Sequence, residues 1–257
     1  MLATALVAVS AALALGAFSS GAAVRVARTG ISRAVGGGVR AIRVIGYSVD
    51  RRPIVAILTA SGRAGRSMLV VGSIAGDEPG GTTIARVLAS LPAVSGVQLW
   101  LIPDMNPDGA VRGTRVNADG VDLNRNFPFR WHPLSDTDSR YYPGSRPASE
   151  PESRAVAAFI THIRPGLTIW LHQPYGLIDD SQGPRWAEQV LSRQTGLPLE
   201  RLDDYPGSAI GWEDHRMPAS AFDLELPNQR LTPPSVRRYV DALRLLARTY
   251  AKRPTHG

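Results

Sequence analysis

The chain has 257 residues, of which 44% are hydrophobic, and it contains no cysteine. A chain of this length can bury one large core without disulfides, and without thiols any metal must be held by histidine and carboxylate side chains. The net charge is +7, nearly all of it from arginine, since Lys252 is the only lysine. A basic surface attracts anionic polymers, but no aromatic-interleaved basic stripe accompanies it, so no nucleic-acid partner is expected.

The chain begins with an apolar segment. Residues 2–18 form an uncharged run followed by small residues, which is typical of an export signal and predicts a secreted or cell-envelope protein. No basic residue precedes the run and several arginines follow it, which is the reverse of the usual order. Residues 1–23 are therefore predicted to be a signal peptide or an uncleaved anchor, the only expected membrane contact, with a cytoplasmic location as the alternative. A Gly- and Arg-rich linker is predicted over 24–41, before one domain over 42–257.

From residue 42 onward, strand-like apolar runs alternate with amphipathic helical patterns. This alternation predicts an α/β fold, a single-domain α/β/α sandwich with a central mixed, mainly parallel sheet. Apolar spacing predicts a helix that ends at Pro92, and a last helix near 234–250. A Ser149 to Glu152 capping-box pattern predicts the start of another helix. The predicted strands lie near 42–48, 53–60, 67–74, 97–102, 167–172 and 220–226.

Three polar residues follow or end these apolar runs. Glu78 lies in a glycine-rich turn after MLVVGSI, His172 ends the run LTIWL, and Glu225 lies in FDLELP. Open α/β sheets bind their ligands at the carboxyl ends of their strands, so we expect these side chains to converge. A carboxylate placed between Leu224 and Leu226 is costly to bury unless it has a partner or a purpose.

A fourth segment, residues 104–128, reads DMNPDGAVRGTRVNADGVDLNRNFP. Together with the three segments above, it closely resembles the zinc metallocarboxypeptidase family, and within it the bacterial branch that includes murein peptide amidases. The resemblance implies one zinc ion, with Glu78 and His172 as ligands. NPDG at 106–109 is by itself only a turn signal.

The resemblance also implies roles for residues around the metal. It makes Glu225 the general base, which takes a proton from water and delivers it to the leaving nitrogen. Arg115 would polarise the scissile carbonyl. Asn124 and Arg125 would grip the terminal carboxylate of a peptide, because a planar guanidinium binds a carboxylate through two parallel hydrogen bonds. Asp122 and Asn126 either orient this pair or form turns.

The specificity pocket is predicted from the same resemblance. Its floor would contain Ile210 and carry no charge, and Tyr205 would close over the substrate. Glu213, Asp214 and Arg216 would then meet a zwitterionic side chain such as that of diaminopimelate. The predicted substrate is a peptide or peptidoglycan fragment, with small anionic peptides favoured by the basic surface.

One family position differs. Three residues before Glu78, where the family has its first zinc-binding histidine, this chain has Ala75. A catalytic zinc normally has three protein ligands, so Asp77, His132 or His215 would have to supply the third. Two hypotheses follow: a zinc-dependent carboxypeptidase or peptide amidase, or a silenced relative that only binds carboxylate-terminated peptides. A related deacylase is a third option, against which the NPDG and TRVN segments argue.

Overall fold

The structure is a computed structural model. It describes residues 38–254 except 63–64, 135, 182, 204 and 219. The predicted signal or anchor segment, and the predicted linker as far as residue 37, lie outside the described residues. The first strand begins at Val39, slightly before the predicted start of the domain.

The described residues form one eight-stranded mixed sheet. In space the strands follow the order β1-β2-β4-β3-β5-β8-β6-β7. The four central strands β4, β3, β5 and β8 are parallel to one another, while β2 and β6 run antiparallel to their inner neighbours. The strands are β1 Val39–Tyr47, β2 Pro53–Thr59, β3 Arg66–Gly72, β4 Val97–Ile102, β5 Leu167–His172, β6 Tyr175–Asp179, β7 Leu199–Glu200 and β8 Ala221–Pro227.

Six α-helices cover this sheet among the described residues. Helices α1 and α4 both pack against α6, while α3 packs on β1 and α5 packs on β8. The arrangement confirms the predicted single-domain α/β fold. The helices are α1 Pro79–Ser90, α2 Pro107–Arg112, α3 Pro151–Ile163, α4 Arg185–Thr195, α5 Ala209–Arg216 and α6 Pro233–Lys252, and a 3-10 turn covers Leu123–Arg125.

The core lies between the sheet and its helices. All six residues of β5 are buried, as expected for a central strand covered on both faces. Apolar periodicity predicted the inner face of α6 correctly, since Val236, Val240, Leu243 and Ala247 are all buried. The predicted strands match β1 to β5 and β8 to within a few residues. The short outer strands β6 and β7 had no apolar run long enough to predict them.

The predicted capping box of α3 is wrong. The residue before the helix is Glu150, and no side chain caps the first turn. Ser149 Oγ donates instead to Glu150 Oε1 at 2.6 Å. Glu152 Oε1 accepts from the backbone N–H of Val49 at 3.1 Å, so its carboxylate holds the β1–β2 turn rather than the start of its own helix.

The fold brings together the ends of three parallel strands. The segments after β3 and β5 and the end of β8 meet at one edge of the sheet, because β3 and β8 are the two neighbours of β5. In the part of the chain that the structure describes, no helix is both long and apolar enough to cross a bilayer.

Candidate active site

Among the described residues, a cleft of about 1260 Å³ opens at this edge of the sheet. Eight of the residues proposed from the sequence line it, so segments far apart in the chain do converge. The lining includes Glu78, Arg115, Asn124, Arg125, His172, Tyr205, Ile210 and Glu225.

The turn that carries Glu78 is compact. Its backbone closes with a hydrogen bond from Glu78 N to Ala75 O at 3.2 Å, and Ser73 Oγ donates to Glu78 O at 2.9 Å. Gly76 is required here, because a Cβ at this position would lie 2.1 Å from the backbone carbon of Gly109. Helix α2 therefore packs directly on the turn and fixes the direction of Glu78.

Both carboxylate oxygens of Glu78 are engaged by protein groups. Oε2 lies 3.2 Å from His172 Nδ1 and accepts from the backbone N–H of Gln173 at 3.1 Å. Oε1 accepts from Arg115 Nη1 at 3.4 Å. Glu78 and His172 are both about 95% buried, so these charges interact with little screening by water.

Arg115 is held from two sides. Its Nε donates to the fully buried Asp122 at 2.9 Å, so Asp122 orients Arg115, a contact that the sequence analysis did not propose. Asn106 accepts from the N–H of Gly109 as the N-cap of α2, and its Nδ2 donates to the backbone oxygens of Ile74 and Arg115. The NPDG segment is therefore the start of helix α2 and not only a turn. Through Asn106 it is hydrogen-bonded both to the segment before Glu78 and to Arg115.

Asn124 and Arg125 follow on the 3-10 turn. Asp122 Oδ1 accepts from the N–H of Asn124 at 3.0 Å, and Asn124 Oδ1 accepts from the N–H of Ala209 at 2.9 Å, which joins the turn to α5. The Arg125 guanidinium carbon lies 4.3 Å from the centre of the Tyr205 ring. This distance is in the range of a cation–π contact, although Tyr205 itself is 47% exposed.

Tyr141 is a member of this cluster that the sequence did not reveal. Its ring centre lies 5.4 Å from the guanidinium carbon of Arg115, 5.6 Å from that of Arg125 and 5.4 Å from that of Arg140. It sits in a loop without periodicity, so no sequence signal identified it. Three guanidinium groups around one ring make this end of the cleft strongly positive.

Glu225 lies at the end of β8, in parallel register with His172 on β5. Only 6% of it is exposed, and its one hydrogen bond given by the structure is from the N–H of Tyr175 at 3.4 Å. Burial raises the pKa of the Glu225 carboxyl. The nearby His172 lowers this pKa, and the nearby Glu78 raises it further. A carboxylate with a raised pKa beside a cleft suits proton transfer.

His172 is surrounded by carboxylates. Its Nε2 lies 3.8 Å from Asp223 Oδ1, on the side of the ring away from Glu78. Burial by itself lowers the pKa of His172, but Asp223, Glu78 and Glu225 outweigh burial and raise the pKa to about 9. Burial raises the pKa of Asp223 to about 7 although His172 lowers it. The imidazole is therefore the cation that balances this group of acids.

The residues present do not form the usual three-ligand zinc site. Glu78 and His172 Nδ1 converge, but Ala75 is fully buried and offers no electron pair. Asp77 is exposed and lies 3.8 Å from Arg140, so it points to the rim. Among the described residues, no three histidine, cysteine or acidic side chains are grouped to hold a metal.

The other two candidates for a third ligand are wrong. His132 is exposed and His215 stacks on Phe129 with ring centres 4.4 Å apart, and neither lines the cleft.

Three specificity residues proposed from the sequence are also wrong. Glu213 is fully buried and accepts from Thr168 Oγ1 at 2.5 Å and Trp170 Nε1 at 2.9 Å. Asp214 Oδ1 accepts from two backbone N–H groups at the start of β8, and Arg216 lines a different, small pocket. These side chains sit on the face or end of α5 that is turned away from the cleft.

The acidic residues that line the cleft include Asp179 and Asp223, neither of which was proposed from the sequence. The alternation of Asp223 and Glu225 in β8 was the signal that could have found Asp223, since residues two apart on a strand face the same side.

Comparison with known proteins gives concordant results. A model of the zinc carboxypeptidase family, Peptidase_M14, matches residues 39–178. Murein peptide amidase A of Escherichia coli K12 is 37% identical over 123 residues, which cover 42% of this chain and 50% of the relative, so the chain spans about half the length of that protein. Murein peptide amidase A of Vibrio campbellii is 31% identical over 192 residues, covering 68% of this chain and 74% of the relative.

Solved structures show the same fold. The crystal structure of a murein-tripeptide amidase from Escherichia coli O157 superposes with a TM-score of 0.67 at 26% identity, covering 86% of this chain and 94% of that one. Carboxypeptidase A from Helicoverpa armigera gives a TM-score of 0.72 at 18% identity, covering 83% of this chain and 69% of that one.

Proposed function

Because the chain belongs to the zinc carboxypeptidase family, we propose that it is a peptidase that hydrolyses short peptides bearing a free terminal carboxylate. The observation that carries the proposal is the placement of a buried carboxylate, Glu225, in the same cleft as the guanidinium groups of Arg115 and Arg125. The homologues and solved structures of the family support hydrolase activity.

Arg125 and Asn124 are the proposed grip on the terminal carboxylate. The Arg125 guanidinium is packed against Tyr205 and Tyr141, and its Nη1 donates to Asn124 O at 2.7 Å. Its planar group is thus held in place before a ligand arrives, which reduces the entropy lost on binding. A carboxylate is well matched to such a group because two parallel hydrogen bonds form at once.

Arg115 and Glu225 are the proposed reacting groups. Arg115 is fixed by Asp122 and Glu78, so its remaining N–H groups are available to the oxygen of a scissile carbonyl as negative charge develops on it. Glu225 takes a proton from the attacking water and passes it to the leaving nitrogen. Burial raises the pKa of Glu225, which makes its carboxylate a stronger proton acceptor than an ordinary glutamate.

The proposed peptides come from the cell wall. Support for this source is the similarity to murein peptide amidase A from two bacteria, together with the apolar N-terminal run expected to direct export. We propose on the same grounds that the protein is secreted or retained at the cell envelope.

Hydrolysis of a small panel of peptides tests the proposal. Wild-type protein should cleave a tripeptide that ends in a free carboxylate and leave the same tripeptide with an amidated end intact. Glu225→Gln should retain binding, measured by calorimetry, and lose cleavage by at least about a hundredfold. Equal rates for wild type and Glu225→Gln would contradict the role of Glu225.

Ala75 favours a second candidate, a protein that binds such peptides without cleaving them. The donor set lacks the third ligand, while the contacts around Arg125 and Arg115 are complete. Binding of the carboxylate-terminated tripeptide to wild-type protein without any turnover, over a range of added zinc concentrations, would favour this candidate.

A further inference from the structure

Positive charge is concentrated on one group of packed helices. Helices α1 and α4 both pack against α6, and these three helices carry eight basic and two acidic residues, a surplus of six, in a chain of net charge +7. The other three α-helices contain at least as many acidic as basic residues. The eight basic residues are Arg86, Arg185, Arg193, Arg237, Arg238, Arg244, Arg248 and Lys252, and the acids are Glu188 and Asp241.

Four of these cations form a stripe along α6. Arg237, Arg244, Arg248 and Lys252 recur at intervals of seven, four and four residues, which places them on one side of the helix. Asp241 is the only acid of α6 and lies within this stripe. Arg244 is half-buried and the other three cations are exposed. At 1.5 Å per residue, the 20 residues of α6 extend over about 30 Å. We call these four cations the basic stripe.

The basic stripe is not neutralised by the protein. Among the described residues, none of its cations forms an ion pair with an acid. Burial and the neighbouring Arg248 lower the pKa of Arg244, and Asp241 opposes them. Like charges four residues apart destabilise a helix. A partner of opposite charge therefore relieves a repulsion that is present in the free protein.

The shape of this surface favours a broad partner over a small molecule. The basic stripe lies on the outside of a helix, and none of its residues lines the cleft or the small pocket that contains Arg216. A convex row of cations can face an extended anionic surface along its whole length. The headgroups of a bilayer that contains anionic lipids form such a surface, and basic residues near it are attracted to it.

The chain enters the domain beside the basic stripe. Gly38, where the described part of the chain begins, lies against Ala93, since a Cβ on Gly38 would be 2.5 Å from Ala93 N. The preceding residue, Pro92, accepts a hydrogen bond through its carbonyl oxygen from Arg244 Nη1 at 2.7 Å. The apolar run at residues 2–18 therefore leads into the domain next to this stripe. A hydrophobic segment and a basic patch reinforce each other in attachment to a membrane.

We propose that the basic stripe of α6 docks the protein on the surface of a bilayer that contains anionic lipids. This contact is additional to the one expected of residues 1–23. No residue of α6 lines the cleft, so a docked protein keeps its cleft open to peptides. Because the attraction is electrostatic and exposed to solvent, it weakens as the salt concentration rises.

Binding of the full chain to lipid vesicles tests the proposal. Vesicles of phosphatidylcholine alone measure what the apolar run contributes, and vesicles that also contain phosphatidylglycerol add the anionic charge. In co-sedimentation at low salt, wild-type protein should bind the anionic vesicles at least about tenfold more tightly than the neutral ones. The combined variant Arg237→Gln, Arg248→Gln and Lys252→Gln should lower this ratio to about twofold or less.

The matched control removes the same charge elsewhere. Arg51→Gln, Arg146→Gln and Arg201→Gln together change three exposed arginines outside the three helices, and this variant should keep the ratio of wild type. Arg237→Lys with Arg248→Lys should also keep it, because the charge is retained. Near-UV circular dichroism shows that each variant is folded.

Three outcomes overturn the proposal. The first is an unchanged ratio in the variant of the basic stripe. The second is an equal loss in the matched control, because net charge alone would then explain binding. The third is a wild-type protein that binds soluble polyphosphate but does not distinguish the two kinds of vesicle, because the basic stripe would then serve a polymer and not a bilayer. These measurements do not involve turnover, so they are independent of the proposed peptidase activity.

Discussion

Ala75 is a methyl group at the position where the family has a metal ligand, and its effect on the site can be measured. Ala75→His adds an imidazole three residues before Glu78, next to the existing pair of Glu78 and His172. The zinc dissociation constant should fall by roughly a hundredfold or more, because a third ligand completes the usual donor set. Zinc content after dialysis and calorimetric titration with zinc measure the change.

The control for this experiment is Ala75→His combined with Glu78→Gln, which should lose the gain. Tight stoichiometric zinc in the wild-type protein would contradict the conclusion that the donor set is incomplete. A folded Ala75→His protein with unchanged zinc affinity would show that the buried turn has no room for an imidazole.

Arg125 provides a second prediction at the scale of single residues. Arg125→Ala should weaken binding of a carboxylate-terminated peptide by about 2 to 5 kcal/mol, because a buried charge pair loses one partner. Binding of the corresponding amide should change much less. Arg140→Ala is the matched control, since the Arg140 side chain is 61% exposed and should contribute at most about 1 kcal/mol. Equal losses for acid and amide in calorimetry would refute the role of Arg125.

The sequence predicted most of the site at this scale for a physical reason. Glu78, His172 and Glu225 each follow or end a strong apolar run, and parallel strands bring such ends together. Asp223 was missed because the alternation in FDLELP shows only that Asp223 and Glu225 share a face, whereas tertiary packing decides that this face lines the cleft. Glu213 was misassigned because sequence distance from Ile210 does not show which face of α5 a side chain occupies.

At the scale of elements, the buried acid Glu213 joins α5 to β5 by accepting hydrogen bonds from Thr168 and Trp170. Burial raises the pKa of Glu213 to about 7 from an ordinary 4.5, although the hydrogen bonds from Thr168 and Trp170 oppose the shift. Between these two pH values the folded protein keeps a proton that the unfolded chain has released. The Glu213 contribution to stability is therefore greatest below pH 4.5 and is lost as the pH rises toward 7.

Glu213→Gln should remove this dependence. The free energy of unfolding of the variant, measured with urea at about pH 5 and about pH 8, should fall less between the two than that of wild type. Glu200→Gln, which changes an exposed acid on β7, should behave as wild type does. A variant whose stability falls as steeply as that of wild type would mean that Glu213 is ionised throughout this range.

The sequence predicted the bounds of elements where apolar runs are long. It did not predict them where tertiary contacts decide the local structure. The Ser149 to Glu152 pattern predicted a capping box, but the Glu152 carboxylate is used by the turn after β1. Strand β6 is short and polar at its start, and it exists because β8 offers it a hydrogen-bonding edge. A short stretch of sequence predicts neither the contact of Glu152 with the β1–β2 turn nor the pairing of β6 with β8.

For the molecule as a whole, the last part of the chain holds the sheet together. A protein that ends after Met217 lacks β8 and α6 and should show no cooperative thermal unfolding. Eight side chains of α6 are buried, and burying one large apolar side chain contributes about 1.5 to 3 kcal/mol, against a total stability of about 5 to 15 kcal/mol. A protein that ends after Pro254 is the control and should unfold as the full chain does. A native-like transition in the shorter protein, seen by near-UV circular dichroism, would contradict this.

Strand β8 comes last in the chain, yet it lies between β5 and β6 in the sheet. During synthesis, a ribosome therefore releases Glu78, Arg115, Arg125 and His172 well before Glu225. Until residues 221–227 emerge, β6 has no neighbour that connects it to the central strands. A growing chain therefore carries the residues proposed to hold a peptide before the residue proposed to accept a proton, and the cleft can assemble only when β8 takes its place beside β5.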